Sequence, residues 1–140
     1  MKGKWEGQYW FTDNVPNSML NQLTKFELEI DTFNQSKFSG WVKDDLETGG
    51  TKGKGTVTGK IKGDRIQFVK QMPVRTFIHG EDEKVEEEKP HRPIYYSGTI
   101  NFKTNKINGT WRFKMGFGFI KGGVAFYRAS KGEWNMKKTD

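Results

Sequence analysis

Hydrophobic and polar residues alternate with a period of two along much of this chain, which is typical of β-strands because successive side chains point to opposite faces. The clearest case is residues 95–113, where one five-residue pattern (hydrophobic, polar, glycine, polar, hydrophobic) occurs at 96–100 and again at 107–111. The polar residues 103–106 between the two copies make a loop of hairpin length. The sequence therefore predicts a β-hairpin here.

The same pattern occurs at residues 5–9, 38–42 and 57–61, so five predicted strands carry a glycine in the middle of their apolar face. Glycine weakens a strand unless the backbone bends or a large neighbour needs the space, and small barrels need such bends. We therefore predict a barrel rather than a sandwich. The five glycines are Gly7, Gly40, Gly59, Gly98 and Gly109.

Alternation along the whole chain predicts an all-β fold, a single eight-stranded antiparallel up-and-down (meander) barrel. The predicted strands are residues 4–12, 23–32, 37–45, 53–62, 65–72, the two strands of the hairpin, and 123–130. We expect residues 1–130 to form one domain and residues 131–140 to form a polar tail.

The predicted connections differ in length in a regular way. The first, third, fifth and seventh are long, and the others are tight; the long ones are residues 13–22, 46–52, 73–92 and 116–122. Alternate connections of a meander lie at the same end of the barrel. We therefore expect one end sealed by tight turns and a functional mouth at the other.

Composition narrows the class of protein. Only 33% of the residues are hydrophobic but 14% are aromatic, so the core must consist of few, large side chains. No segment has the roughly 18 consecutive apolar residues of a membrane span, and the first residues lack the apolar stretch of a signal peptide. There is no cysteine. We expect a soluble, cytoplasmic protein without disulfides or membrane contact.

The net charge of +7 is unevenly distributed, because six of the 17 acidic residues lie in residues 81–88. A basic body can bind nucleic acid. However, most of the lysines lie at outward strand positions or in loops, where charge confers solubility. We therefore expect a solvated surface and disfavour nucleic acid as a partner.

Residues on the first and last predicted strands together form a motif. Gly3-Lys4-Trp5 opens the first strand, and Arg128 lies on the predicted last strand. This resembles the calycin superfamily of lipocalins, fatty-acid-binding proteins and avidins, in which an arginine of the last strand covers the tryptophan of the first. The resemblance implies that Trp5 and Arg128 close the barrel at its sealed end.

Within the calycins the chain is most similar to avidins, through the short motifs Thr58-Gly59-Lys60, Tyr96-Ser97-Gly98 and Ile107-Asn108-x-x-Trp111. The resemblance places Tyr96 and Trp111 where avidins contact biotin with aromatic rings. The chain departs from avidins because Val124 or Ala125 stands in place of the ligand-binding carboxylate, and Val42 in place of a tyrosine. The resemblance thus implies an avidin-like barrel without the carboxylate that avidins direct at biotin.

The candidate ligand pocket consists of inward-facing residues near the long connections. Aromatic walls with few polar groups suit a small apolar or aromatic molecule. The alternative is that the same rings fill the barrel and leave no cavity. The candidate ligand-binding residues are Phe11, Phe26, Val42, Phe68, Met72, Tyr96, Trp111, Phe113 and Val124.

Two charged residues, Asp44 and Lys70, share the inward parity near the same end of the barrel. They flank the glycine-rich strand 53–62, where Gly53 and Gly55 place no side chain between them. An unpaired charge inside is costly, so they pair with each other, pair with a ligand, or turn to solvent through a bulge or fraying of the strand ends. We expect fraying or a bulge.

Little in the sequence indicates catalysis. His79 and His91 are the only imidazoles, and His79, with acidic residues nearby, could form at most a weak cation site. No spacing matches a zinc site, a catalytic triad or a phosphate loop. We predict a non-catalytic barrel that binds a small apolar ligand, with no cofactor and no metal, as a monomer or an oligomer.

Two other functions are retained as alternatives. One is an enzyme that uses the barrel cavity for isomerase- or haem-type chemistry, with His79 or Lys70 as acid or base. The other is a nucleic-acid- or protein-binding module that uses the basic exterior, with the exposed Trp41 and Phe117. Residues 116–120, GFGFI, resemble the aromatic core of an RNA-binding strand, although a glycine-rich hairpin tip is the simpler interpretation.

Overall fold

The computed structural model describes residues 1–12, 20–50, 53–73, 75–79, 83–87, 93–113, 116–120, 123–127 and 131–139. These residues form twelve strands and a 3₁₀ turn, Leu46–Thr48. The strands are β1 (Gly3–Phe11), β2 (Thr24–Asn34), β3 (Lys37–Asp44), β4 (Lys54–Lys62), β5 (Arg65–Gln71), β6 (Arg75–His79), β7 (Glu83–Glu87), β8 (Ile94–Asn101), β9 (Lys106–Arg112), β10 (Gly116–Ile120), β11 (Gly123–Tyr127) and β12 (Lys131–Lys138). Within these ranges, no helix has the length and apolar character needed to cross a lipid bilayer.

Eight of the strands close into one antiparallel barrel in the order β1-β12-β9-β8-β5-β4-β3-β2, with β2 paired back to β1. The prediction of an all-β, eight-stranded, up-and-down barrel is confirmed. The remaining strands form two separate hairpins, β6–β7 and β10–β11, which lie along the chain between β5 and β8 and between β9 and β12. The fifth and seventh connections between barrel strands therefore each contain a hairpin.

The two ends of the barrel differ as predicted. The tight turns β2–β3, β4–β5 and β8–β9 lie at one end, where the chain also closes on itself: the Thr139 N–H donates to the Lys4 carbonyl at 2.9 Å, and the Lys138 N–H donates to the Asn105 carbonyl at 3.1 Å. The four longer connections lie at the other end. We call that end the long-loop rim.

The last barrel strand is β12, which corrects the prediction of a strand at residues 123–130 followed by a polar tail. β12 pairs with both β1 and β9, and it closes the barrel. Its inward residues Gly132, Trp134 and Met136 are buried. They alternate with outward residues that are exposed or partly exposed, beginning with Lys131 and Glu133. The alternation was present in the sequence, but with only two apolar side chains it was weaker than that of β11, which pairs with β10 instead.

The predicted contact between Trp5 and Arg128 stays a prediction, because Arg128 lies outside the described residues. Trp5 lies opposite Lys138 on β12 and opposite Leu28 on β2, and its indole N–H donates to the Met1 carbonyl at 3.1 Å. The last barrel strand beside Trp5 is β12, whereas Arg128 was assigned to a predicted strand at residues 123–130.

The middle of the barrel is organised around Trp134. Its indole N–H is 3.1 Å from two acceptors, the carbonyls of Ser97 and Thr110 on β8 and β9. Gly98 and Gly109 lie opposite each other on these two strands, and a Cβ on Gly98 would be 2.9 Å from Cζ2 of Trp134. This contact is tighter than side chains tolerate, so Gly98 makes room for the central indole.

Candidate ligand-binding site

The structure brings eight of the nine predicted ligand-binding residues into the barrel core or against it. Seven are buried, and Phe11 is partly buried against them; the seven are Phe26, Val42, Phe68, Met72, Tyr96, Trp111 and Phe113. Val124 lies on β11, opposite Phe119 of β10. Its predicted place on the last barrel strand is wrong, because β12 is that strand.

Three aromatic rings fill the middle layer of the barrel. Phe68 and Tyr96 stack with their ring centroids 4.7 Å apart, and Trp134 contacts both rings edge-on, each at 5.4 Å. Separations of this size are direct ring contacts. Phe68 is therefore a packing residue of a filled layer, and the part of the predicted site that remains a candidate lies nearer the long-loop rim.

A second aromatic layer lies at that rim, around Trp111. The rings of Phe11, Phe113 and Tyr9 meet Trp111 edge-on at centroid distances of 4.8, 5.6 and 6.0 Å. The Trp111 indole N–H donates to the Glu133 carbonyl at 3.1 Å, which fixes the ring against β12. We call Tyr9, Phe11, Trp111 and Phe113 the rim rings.

An ion pair lies beside the rim rings, inside the barrel. Lys70 Nζ is 2.7 Å from Asp44 Oδ1, and the two side chains are only 2% and 1% exposed. Asp44 ends β3 and Lys70 lies near the end of β5, on either side of β4. The expectation that fraying or a bulge turns these charges to solvent is wrong; they remain inside because each neutralises the other.

Tyr9 completes this arrangement. Its hydroxyl donates to Asp44 Oδ2 at 3.0 Å, so both carboxylate oxygens accept a hydrogen bond. The Lys70 ammonium lies 4.7, 5.9 and 6.0 Å from the ring centroids of Tyr9, Phe26 and Tyr96. These distances are within the range of cation–π attraction. We call Tyr9, Asp44 and Lys70 the buried charge cluster.

Burial changes the acid–base behaviour of two tyrosines at this cluster. The pKa of Tyr9 is raised well above its ordinary value, first because its hydroxyl is shielded from water and second because the Asp44 carboxylate repels a phenolate. Tyr9 as a whole is only partly buried, but its hydroxyl lies against a buried carboxylate. The pKa of Tyr96 is raised for the same two reasons, in the same order. Both phenols therefore stay neutral at an alkaline pH at which an ordinary tyrosine ionises.

These shifts predict loss of stability in alkaline solution. In the unfolded chain both tyrosines ionise near pH 10, whereas in the fold they stay neutral. The stabilisation is therefore complete below about pH 10 and is lost as the pH rises further, by up to about 1.4 kcal/mol per pH unit for each group. Urea unfolding at a series of alkaline pH values should show this slope.

The matched controls for this titration are Tyr9→Phe and Tyr96→Phe. Each variant should unfold with a shallower dependence on pH above 10, because one shifted phenol is gone. Tyr95→Phe, on the outward side of β8, serves as the comparison. A wild-type protein whose stability is constant up to strongly alkaline pH would contradict the assignment.

Metal binding has little support in the described part of the chain. No three His, Asp or Glu side chains there lie close enough together to hold an ion. His79 ends β6, and His91 lies outside the described residues. The prediction of a weak cation site at His79 therefore stays a prediction.

The predicted ligand-binding residues did not include three residues of this region, Tyr9, Asp44 and Lys70. Tyr9 belongs to the repeated pattern at residues 5–9 but was not assigned to a site, and Asp44 and Lys70 were expected to reach solvent. For Asp44 and Lys70, the sequence did show an inward-facing position on two strands separated by glycine-rich β4. The pairing itself depends on the distance between two strands, which sequence alone does not give.

Comparison with known proteins adds no family to this description. No protein-family model, no curated protein and no solved structure matches the chain.

Proposed function

We propose that this chain is a non-catalytic β-barrel that binds a small apolar or aromatic ligand at its long-loop rim. The observation that carries the proposal is the buried charge cluster, Tyr9, Asp44 and Lys70, next to the rim rings. A buried ion pair stabilises a fold no better than well-packed apolar residues of the same volume. Stability alone therefore does not explain why these charges are buried. Recognition of a ligand does explain it.

The chemistry of the rim defines the ligand class. The rim rings offer flat apolar surfaces, which suit an aromatic or aliphatic body. The cluster offers an ammonium donor, a carboxylate acceptor and a phenol within one small volume. The ligand is therefore a small, mostly apolar molecule with one polar group that hydrogen-bonds to the cluster.

Binding is proposed in preference to catalysis because the cluster holds its charges in mutual contact. The Lys70 ammonium is bound to Asp44, and the Tyr9 hydroxyl is bound to the same carboxylate. A general acid or base needs to reach the proton that it transfers. Groups held by each other serve better to orient a ligand than to transfer protons.

Membership of the calycin group is part of this proposal. It rests on Gly3-Lys4-Trp5, on the short avidin-like motifs and on the eight-stranded meander. Arg128, the other residue of the resemblance, lies outside the described residues.

A ligand search with matched tyrosine variants tests the proposal. Native mass spectrometry of the purified protein should show a retained small molecule, or thermal unfolding should identify one in a panel of aromatic and apolar compounds. A ligand at 100 times its Kd stabilises by about 2.7 kcal/mol, a rise in melting temperature on the order of 10 °C for a domain of this size.

Tyr9→Phe removes the hydroxyl of the cluster and keeps the ring, and Tyr95→Phe makes the same change on the outer surface. We expect the ligand-induced temperature shift to fall in Tyr9→Phe and to be unchanged in Tyr95→Phe, each measured against its own ligand-free protein. Equal ligand-induced temperature shifts in the two variants would show that the cluster is not part of the ligand site. If no compound is retained and none in the panel stabilises the protein, the proposed function is wrong.

A further inference from the structure

The outside of the barrel has one wall with only basic charges and one wall with charges of both signs. The outward positions of β3, β4, β5, β8 and β9, which are neighbours in the barrel, carry eight cationic residues and no carboxylate. The eight are Lys37, Lys43, Lys54, Lys60, Lys62, Arg65, Lys106 and Arg112, all exposed. We call these five strand faces the basic wall.

The opposite wall, formed by the outward faces of β12, β1 and β2, is mixed. It carries acidic and basic residues in similar numbers; the acidic ones are Glu6, Glu27, Glu29, Asp31 and Glu133. Closure of the barrel thus brings the basic outer faces of β3, β4, β5 and β9 together, with the uncharged β8 between β5 and β9. Solubility does not require a wall of one charge sign, because interspersed charges of both signs already keep a protein soluble.

A groove of about 470 Å³ runs across the basic wall. Its outer lining comes from two rows of residues that the strand register places side by side. One row is Lys37, Lys60, Gln67, Ser97 and Thr110, and the other is Thr58, Val69, Tyr95 and Arg112. The groove therefore crosses the strands from β3 to β9.

The groove has cations at both ends and neutral groups between them. Lys37 and Lys60 are cross-strand partners at one end. At the other end the Arg112 guanidinium lies 5.6 Å from the Tyr95 ring centroid. The hydroxyl and amide groups of Thr58, Gln67, Ser97 and Thr110 line the middle. Such a lining suits an extended molecule with repeated negative charges and polar, flat groups between them.

We propose that the basic wall binds single-stranded nucleic acid. Phosphates of the strand contact Lys37 and Lys60 at one end of the groove and Arg112 at the other, because cations that track a backbone supply most of the sequence-independent affinity. A base lies in the groove against the Tyr95–Arg112 layer, with hydroxyl and amide groups beside its edge. This combination of aromatic surface and cations is how single strands are held.

Single-stranded nucleic acid fits better than the other polyanions. A lipid surface is flat and rewards inserted apolar side chains, but the exposed large apolar residues of the described chain are Leu23, Phe33, Leu46 and Phe102, which are not on the wall's outward strand positions. A duplex keeps its bases stacked inside and leaves the groove unused. A single strand uses both the cations and the groove.

Fluorescence anisotropy with a labelled single-stranded oligonucleotide of about 12 nucleotides tests the proposal, measured from about 50 mM to about 200 mM salt. The test variant is Lys37→Glu/Lys60→Glu/Arg112→Glu. The control is Lys2→Glu/Lys4→Glu/Lys25→Glu, which changes the net charge equally but lies outside the basic wall. Thermal unfolding confirms that both variants fold.

The wall variant should bind at least about tenfold more weakly at low salt and should show a salt slope shallower by about 2, since each phosphate contact on a single strand contributes about 0.7. The control variant should lose much less. Tyr95→Leu, which keeps every charge, should weaken single-strand binding by about fivefold or more through lost stacking.

Several results would overturn the proposal. Equal losses in the wall and control variants would mean that net charge alone attracts the oligonucleotide. Duplex DNA, heparin or phosphatidylserine vesicles bound as tightly as the single strand would exclude the assigned partner, as would no binding at low salt. None of these variants alters the buried charge cluster, so failure here leaves the proposed barrel ligand untouched.

Discussion

A chain that ends at residue 130 is expected to remain unfolded. The missing segment contains β12, which pairs with β1 on one side and β9 on the other and brings Trp134 into the middle of the barrel. Its loss opens the barrel and exposes two unpaired strand edges. The far-ultraviolet circular dichroism and the amide NMR dispersion of the truncated chain should both resemble those of an unfolded protein.

The single substitution Trp134→Ala tests the same point within the full chain. Removal of a fully buried tryptophan costs about 3 to 5 kcal/mol, and here the carbonyls of Ser97 and Thr110 also lose the indole N–H. Urea unfolding followed by circular dichroism measures the loss.

Trp41→Ala is the matched control for Trp134→Ala. Trp41 lies on the outer surface of β3, where its indole N–H donates to Glu29 at 2.8 Å. Its removal should cost about 1 kcal/mol, the range of a partly exposed hydrogen bond to a charged group. Similar losses for Trp134→Ala and Trp41→Ala would contradict the central position of Trp134.

Breaking the buried ion pair from one side is expected to cost about 3 to 5 kcal/mol of unfolding free energy. Lys70→Met leaves the Asp44 carboxylate inside the barrel without its ammonium partner, and Asp44→Leu leaves the ammonium without its carboxylate. In both cases the penalty is that of an uncompensated buried charge. Urea unfolding of the two variants provides the measurement.

The double variant Asp44→Leu/Lys70→Met should recover most of this loss, because an apolar pair fills the same space without desolvated charges. It leaves the Tyr9 hydroxyl without the acceptor that Asp44 provides. A double-mutant cycle then gives the coupling between Asp44 and Lys70 directly.

Lys43→Met provides the control for this cycle. Lys43 precedes Asp44 on β3 but is exposed on the outer face, so its change should stay within about 0.5 kcal/mol. If Lys70→Met were as harmless as Lys43→Met, water would reach the pair, and the proposed ligand site would lose its physical basis.

The double-mutant cycle of Asp44 and Lys70 also tests whether the buried charge cluster contacts the ligand. If the double variant is stable but no longer binds a ligand that the wild type binds, the cluster acts in recognition. If it is stable and binds equally well, the cluster is a packing feature and the ligand contacts other residues. The two outcomes differ in binding and not in stability, which keeps the two roles of the cluster separate.

The strands could be predicted where their alternation was strong. In β8 and β9 every second residue is apolar or glycine, and this period is a local property that follows directly from the pleat of a strand. The alternation of long and tight connections likewise placed the long-loop rim correctly. In β12 the same period was carried only by Gly132, Trp134 and Met136 among polar and charged residues, and the apolar β11 was taken for the closing strand.

The sequence by itself determined which residues point inward in seven of the eight barrel strands and at which end the long connections lie, because these depend on neighbours within one strand or turn. Only the tertiary structure decided that β12 closes the barrel, that Asp44 meets Lys70 across β4, and that eight cations share one wall. The physical reason is the same in each case. These features depend on which strands lie side by side and in what register, and that choice is set by packing around Trp134 and the other core rings rather than by any local pattern.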